Sequence, residues 1–108
     1  MEKQDVIAAL AALAHETRLD VFRLLVRAGG DGLAAGALAD SLGVASATLS
    51  FHLKELKSAG VVSCRREGRS LIYSSNFEAM SALIRFLTLN CCEGVAACEP
   101  TAPKKRRS

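Results

Sequence analysis

The chain has 108 residues, which is the length of one small domain. Half of the residues are apolar, but only 5% are aromatic and none is Trp, so Leu, Val, Ile and Ala must form the core. Such a core favours no deep pocket, and we expect no organic cofactor. The formal net charge is +3, yet four basic residues lie together at positions 104–107, and the rest of the chain carries ten basic and eleven acidic residues. The overall charge therefore says little about binding to nucleic acid.

The start of the chain decides how the four cysteines are interpreted. Residues 6–14 form a charge-free apolar run, as in a signal peptide, but Glu2, Lys3 and Asp5 do not supply the positively charged segment that should precede it. No run reaches the roughly 18 apolar residues that span a membrane. We therefore expect a cytoplasmic protein with reduced cysteines. Clustered thiols are then typical of metal or redox sites, and single thiols of protein cores.

Apolar side chains at helical spacing predict five helices, and one β-hairpin interrupts them. The predicted helices span residues 2–14, 15–28, 34–41, 46–59 and 77–89, with Ser46 as an N-cap and the glycines at 29, 30 and 32 ending the second. Two β-prone runs, residues 61–66 and 70–74, flank Glu67-Gly68-Arg69 and predict the hairpin. We assign residues 1–90 to one domain, 91–98 to a cysteine segment and 99–108 to a disordered basic tail.

The order of these elements predicts a mainly α fold with a small β-hairpin, the winged helix-turn-helix, in the order ααααββα. A short helix, a tight turn, a longer helix and a basic hairpin follow one another, and residues 42–45 have the length and glycine of the turn. Residues 54–69 carry five basic and two acidic side chains. The net charge of the whole chain does not reveal this local excess of positive charge, which favours double-stranded DNA as the partner.

The helix after the turn carries the candidate DNA-binding residues. Leu49, Leu53 and Leu56 should face the core, which leaves small hydroxyls and an imidazole exposed in the N-terminal half of the helix. Such groups can reach base edges, and basic side chains can engage phosphates. Each feature alone is common on solvated surfaces, but their ordered combination favours DNA binding. The predicted contacts are Ser46, Ala47, Thr48, Ser50, His52, Lys54, Lys57, Arg65, Arg66 and Arg69.

Four segments carry a resemblance to a known family. They are LAALAHETRL at 10–19, LADSLGV at 38–44, ATLSFHLKELKSAGV at 47–61 and RREGRSLIY at 65–73. With them the sequence resembles the ArsR/SmtB family of bacterial metal-responsive repressors over residues 5 to 90. The resemblance implies a homodimer, with the first and last helices at its interface, that binds an inverted-repeat operator until an inducer releases it.

Apolar stripes on the first and last helices agree with a dimer. They hold more apolar surface than one small core should need, and a two-fold dimer would bury it. The predicted interface residues are Val6, Ile7, Leu10, Met80, Leu83, Ile84 and Leu87.

Three of the four cysteines, Cys91, Cys92 and Cys98, follow the last predicted helix. The family's commonest arsenic motif is absent, because residues 36–42 contain no Cys, and the last helix lacks the His and carboxylate pattern that suits zinc. Trivalent arsenic or antimony takes three thiolates in a pyramid, whereas zinc would want a fourth ligand. The pattern resembles a subset of arsenic-responsive repressors with a C-terminal three-cysteine site. That resemblance implies Cys91, Cys92 and Cys98 as ligands of As(III) or Sb(III).

Other functions stay open on the sequence. A redox sensor with a Cys92–Cys98 disulfide, or a sensor of Cd, Pb or Zn, could use the same scaffold. A winged helix that binds only proteins is a further alternative. We expect no enzyme, because paired carboxylates and a phosphate-binding glycine loop are missing. Cys64 should be a core residue, His15 should serve local structure or the dimer seam, and the basic tail should aid solubility or weak phosphate binding.

Overall fold

The computed structural model describes residues 1–92 of the chain. Cys98, the rest of the cysteine segment after Cys92, and the basic tail with its predicted disorder lie outside the described residues. None of the described helices is long and apolar enough to cross a membrane.

The described elements confirm the winged helix-turn-helix order and add one short strand. The helices are α1 (Lys3–Leu13), α2 (Glu16–Ala28), α3 (Ala35–Leu42), α4 (Ser46–Ser58) and α5 (Phe77–Thr88), and a single 3-10 turn, Gly29–Asp31, follows α2. The strands are β1 (Leu33–Ala34), β2 (Val62–Glu67) and β3 (Ser70–Ser75). They form one antiparallel sheet in the order β1-β3-β2, in which Leu33 pairs with Tyr73 and Cys64 pairs with Tyr73 from the other side. The predicted hairpin is therefore the larger part of a three-stranded wing.

The buried core lies where α4 meets α1, α2 and α3. Leu49, Leu53 and Leu56 of α4 are at most 1% exposed, and Leu25 and Leu38 from α2 and α3 are fully buried. The helix α4 begins at Ser46, and its N-cap residue is Ala45, which makes no side-chain cap hydrogen bond. The prediction of Ser46 as the N-cap was wrong by one residue, and the exposed Ser46 side chain stands in the first turn instead.

The predicted dimer stripes divide into buried and exposed residues. Val6 and Leu83 are only 3% and 8% exposed, because α1 and α5 each turn one face into the core of their own protomer. Met80 packs against the same core. Val6 and Leu83 therefore stabilise the protomer, with Met80 half-buried beside them, and the place of all three at a dimer interface stays a prediction. The stripes that stay exposed are formed by Ile7, Leu10, Ile84 and Leu87.

Gly32 lets the chain pass close to the wing. Its φ is +72°, and a Cβ added there would clash with the carbonyl oxygen of Tyr73. A larger residue would therefore meet both backbone strain and a steric clash with main-chain atoms that β1 and β3 hold in register.

We expect Gly32→Ala to destabilise the protein by about 2 to 4 kcal/mol, since strain and overpacking add at this position. Gly30→Ala is the matched control two residues away, where an added Cβ would meet nothing within 4 Å. Urea unfolding at one fixed protein concentration measures both. Equal midpoints for the two variants would contradict the assignment of Gly32 as the residue that fixes this approach.

Candidate nucleic-acid interface

One face of α4 is buried and the other is open to solvent. The buried face consists of Leu49, His52, Leu53 and Leu56. Most of the predicted DNA-binding side chains of α4 are exposed, as the sequence indicated. These exposed residues are Ser46, Ala47, Thr48, Ser50, Lys54 and Lys57.

His52 departs from the prediction, because its side chain is only 7% exposed. Its Nδ1 accepts a hydrogen bond from Nε of Arg18 at 3.1 Å, and its ring centroid lies 4.6 Å from that of His15. A ring nitrogen that accepts is unprotonated, so the ring is neutral in this arrangement. The expectation that His52 faces DNA or solvent was wrong. The imidazole instead joins α4 to α2, and it is turned away from the face that a base edge could reach.

His15 serves local structure, which is one of its two predicted roles. It is the N-cap of α2, and its Nδ1 accepts a hydrogen bond from the backbone N–H of Thr17 at 3.1 Å. This bond satisfies one of the amide groups that a helix start leaves without a partner. His15 thus begins α2 at the point where Arg18 can reach α4.

Phe51 is a residue of this surface that the sequence prediction omitted. Its ring is 54% exposed, and the guanidinium carbon of Arg18 lies 5.6 Å from the ring centroid. His52 packs against the same ring edge-on, with the two centroids 5.5 Å apart. The spacing of Leu49, Leu53 and Leu56 already placed Phe51 on the outward face of the helix. Phe51 was not predicted as a contact because the prediction was based on polar and charged side chains.

The three arginines predicted to contact DNA from the wing have different environments. Arg65 donates from Nε to Glu67 at 2.7 Å, and from its terminal nitrogens to the backbone oxygens of Asp31 at 2.8 Å and Gly30 at 3.4 Å. Its guanidinium therefore ties β2 to the loop after α2. Arg66 and Arg69 are exposed. Arg65 is exposed as well, but its guanidinium is held by these contacts between β2 and the loop after α2.

A β-turn follows α5 and leads into the cysteine pair. Leu89 has φ −58° and ψ 130°, Asn90 has φ 61°, and the N–H of Cys91 donates to the carbonyl oxygen of Thr88 at 2.9 Å. These values describe a type II turn, which favours Gly or Asn at its third position. The turn ends α5 and brings Cys91 and Cys92 directly after it.

The two described sulfurs of this segment are close together. Sγ of Cys91 and Sγ of Cys92 are 3.3 Å apart, and Cys92 takes part in a disulfide. Within residues 1–92, no three His, Cys, Asp or Glu side chains gather as a metal site. The third predicted ligand, Cys98, lies outside the described residues, so the three-cysteine site stays a prediction.

Cys64 stands apart from this segment in the middle of β2. Its side chain is half-buried, and it lies opposite Tyr73 of β3 in the register of the wing. Burial, and then the adjacent Cys64 side chain, raises the pKa of Tyr73 above its ordinary value. Cys64 was predicted to be a core residue, but it is half-buried and lies in the wing beside Tyr73 instead.

The comparisons with known proteins agree with the fold. Residues 13–65 match a family model described as a helix-turn-helix domain. The HTH-type transcriptional regulator YgaV of Escherichia coli is 30% identical over 84 residues, which cover 78% of this chain and 83% of YgaV. The chain belongs to the helix-turn-helix transcriptional regulators. An ArsR-like transcriptional regulator from Rhodococcus sp. RHA1 has a TM-score of 0.69 at 27% identity, over 78% of this chain and 76% of that one.

Two further relatives of this regulator are informative. The nodulation protein NolR of Rhizobium meliloti is 34% identical over 79 residues, which cover 73% of this chain but only 62% of NolR. A homodimeric winged helix-turn-helix DNA-binding domain from Mycobacterium bovis, described as a possible ArsR-family transcriptional regulator, has a TM-score of 0.66 at 28% identity. That match covers 89% of both chains.

The stability of the regulator should depend on the protonation of His52. Burial, and then repulsion from His15 and Arg18, lowers the pKa of His52 below its ordinary value of 6.5. Below about pH 6.5 the unfolded chain therefore binds a proton at His52 that the folded chain does not. The free energy of unfolding consequently decreases as the pH decreases. We expect His52→Gln to reduce this loss, since the Gln amide oxygen can still accept a hydrogen bond from Arg18 but does not titrate.

Urea unfolding between about pH 7.5 and pH 5 checks this expectation, with both proteins at one concentration. Parallel pH dependences for the wild type and His52→Gln would contradict it. Because folding lowers the pKa of the His52 imidazole, protonation of His52 does not affect the free energy of unfolding above about pH 6.5. Its destabilising effect is complete below the pKa of His52 in the folded state.

Proposed function

We propose that this chain is an arsenite-responsive transcriptional repressor. It binds an inverted-repeat operator as a homodimer and leaves the DNA when As(III) or Sb(III) binds Cys91, Cys92 and Cys98. The observation that carries the proposal is the position of the cysteine pair. Its two sulfurs are 3.3 Å apart at the end of α5, directly after the exposed apolar stripe of that helix. A ligand at this position can act on the arrangement of two protomers.

The open face of α4 and the wing support DNA as the partner. Lys54 and Lys57 on α4 and Arg66 and Arg69 on the wing are exposed cations, and the small residues of the first turn of α4 leave room for base edges. Arg65 and His52 would act indirectly, since the first fixes the wing and the second fixes α4. The proposed contact surface therefore contains fewer residues than were predicted from the sequence. It consists of Ser46, Ala47, Thr48, Ser50, Lys54, Lys57, Arg66 and Arg69.

The exposed apolar residues of α1 and α5 support a homodimer. Ile7, Leu10, Ile84 and Leu87 are between 43% and 58% exposed, although they are large and apolar. A two-fold axis would bring each stripe against its copy, and burial of this area favours association. The relative from Mycobacterium bovis is described as homodimeric, which agrees with the same use of the fold.

A trivalent metalloid suits the cysteine pair in its reduced form. Two thiolates bound to tetrahedral zinc, each at about 2.3 Å, lie about 3.8 Å apart. A pyramidal centre has narrower angles and brings its sulfurs closer together than tetrahedral zinc does. The sulfurs of Cys91 and Cys92 lie 3.3 Å apart with Cys92 in a disulfide, so that disulfide must be reduced before both sulfurs can bind a metalloid. Soft thiolate ligands select soft centres of this kind. In the reduced protein Cys91 and Cys92 would supply two thiolates of the proposed site, and Cys98 would supply the third.

A thiol-redox sensor is the second candidate function. The observation that favours it is the disulfide in which Cys92 takes part. Oxidation of the cysteine segment would replace metalloid binding as the event that changes DNA affinity, and thiols would restore it. The two candidates share the same residues but differ in the reagent that releases DNA.

We expect arsenite to release the wild-type protein from operator DNA in the presence of a phosphine reductant, which does not compete as a thiol. The variants Cys91→Ser, Cys92→Ser and Cys98→Ser should keep operator affinity and lose the response, because each removes one of three ligands. Fluorescence anisotropy with labelled operator DNA measures both properties. Cys64→Ser is the matched control, and it should respond as the wild type does.

The same titration separates the candidate functions. Unchanged arsenite release from Cys92→Ser would contradict the proposed ligand set. Release by mild peroxide and not by arsenite would favour the redox sensor instead. Counting accessible thiols before and after arsenite adds a direct readout, since three thiols per protomer should become protected.

The wing arginines provide a separate test of the DNA surface. We expect Arg66→Ala and Arg69→Ala each to reduce the slope of log K against log salt by about one, since each would remove a phosphate contact. Arg65→Ala should leave that slope unchanged and lower the unfolding midpoint, because its guanidinium is bonded to Glu67 and to the loop after α2. A loss of slope in Arg65→Ala equal to that in Arg66→Ala would contradict this division of roles.

A further inference from the structure

Phe51 is an exposed aromatic ring on an otherwise polar and basic surface. It is 54% exposed, whereas the leucines on the opposite face of α4 are at most 1% exposed. Its neighbours on the open face are Ser50, Ala47 and Lys54, which are also exposed. Removal of an apolar ring from water is favourable, so a ligand that covers the Phe51 ring would gain affinity from it.

The ring is held in place before any ligand arrives. Arg18 from α2 lies over its face at 5.6 Å, and His52 packs against it edge-on at 5.5 Å. Arg18 is itself fixed by its hydrogen bond to His52 at 3.1 Å. A side chain that is already ordered loses little conformational entropy on binding, and this favours a specific contact over a nonspecific one.

The surroundings of Phe51 favour DNA over a second copy of the chain. Arg18, Lys54 and Lys57 outnumber Glu55, the acidic residue one turn after Phe51, and leave this side of the protein with net positive charge, which would repel an identical surface and attract a phosphate backbone. The exposed apolar stripes suited to a second copy lie on α1 and α5 instead. In the major groove, thymine is the one base that presents an apolar group, its 5-methyl, and Phe is among the residues that contact it.

We propose that Phe51 is a specificity-determining residue whose ring contacts a thymine 5-methyl group in each half of the operator. This inference rests on the proposed binding of operator DNA by α4. Arg18 is a positioning residue in this arrangement, because it holds the ring from the side that faces the protein. The contact adds apolar recognition of one base to the polar contacts of the first turn.

Replacement of thymine by deoxyuridine tests the contact, since it removes the methyl group and leaves base pairing unchanged. Anisotropy titrations would use operators with one such replacement at each thymine position of a half-site in turn. For the wild type we expect one position at which the affinity falls about fourfold per half-site, the loss expected for one buried methyl-sized group. Phe51→Ala should bind the thymine and deoxyuridine operators equally at that position.

The matched variants keep the outcomes distinct. Phe77→Ala, which removes an exposed ring of α5 outside the proposed contact surface, should retain the discrimination, and Arg18→Lys should weaken it while keeping the charge. A wild type that binds its operator but distinguishes no deoxyuridine position, or a Phe51→Ala protein that still discriminates, overturns the assignment of Phe51. A wild type that binds no operator overturns the proposed function as well. Dissociation of the dimer in Phe51→Ala, seen by sedimentation, would show that the ring covers a second copy and would also overturn the contact.

Discussion

Three leucines on α4 determine which of its side chains can meet another molecule. Leu49, Leu53 and Leu56 are separated by four and three residues, and all are at most 1% exposed. A helix advances about 100° per residue, so burying this stripe fixes the rotation of α4 about its own axis. The rotation of α4 therefore also fixes which of its other side chains face solvent. Each candidate DNA contact on α4, Phe51 included, follows from this one packing constraint.

The wing depends on a second constraint, which main-chain atoms impose. The chain enters β1 through Gly32, at a distance from Tyr73 that no side chain permits, and β1 pairs with β3. Arg65 then links β2 to the carbonyl oxygens of Gly30 and Asp31. Both sides of the wing are thereby attached to the loop that ends α2, and α2 is joined to α4 by Arg18. The wing and α4 thus form two contact surfaces with a fixed spacing, which a DNA site of defined length requires.

The sequence predicted the elements well and the environments of single residues less well. Helical spacing placed all five helices, because an amphipathic stripe is a local property. The strand β1 was missed, since it has two residues and pairs with Ile72 and Tyr73, far along the chain. His52 was placed on the wrong face because its burial depends on Arg18 and His15, which only the tertiary fold brings to it. Arg65 illustrates the same limit, for its partners are backbone oxygens that carry no sequence signal.

The arrangement of the core restricts how an effector at the end of α5 could change DNA binding. Leu83 of α5 and Val6 of α1 share a core with Leu49 and Leu53, and a close-packed core resists gradual deformation. The exposed stripes formed by Ile7, Leu10, Ile84 and Leu87 are under no such restriction within the protomer. An effector bound beside them would alter the angle between protomers as rigid bodies, and with it the distance between two α4 helices. Linkage then requires that operator DNA weaken effector binding by the same factor by which the effector weakens DNA binding.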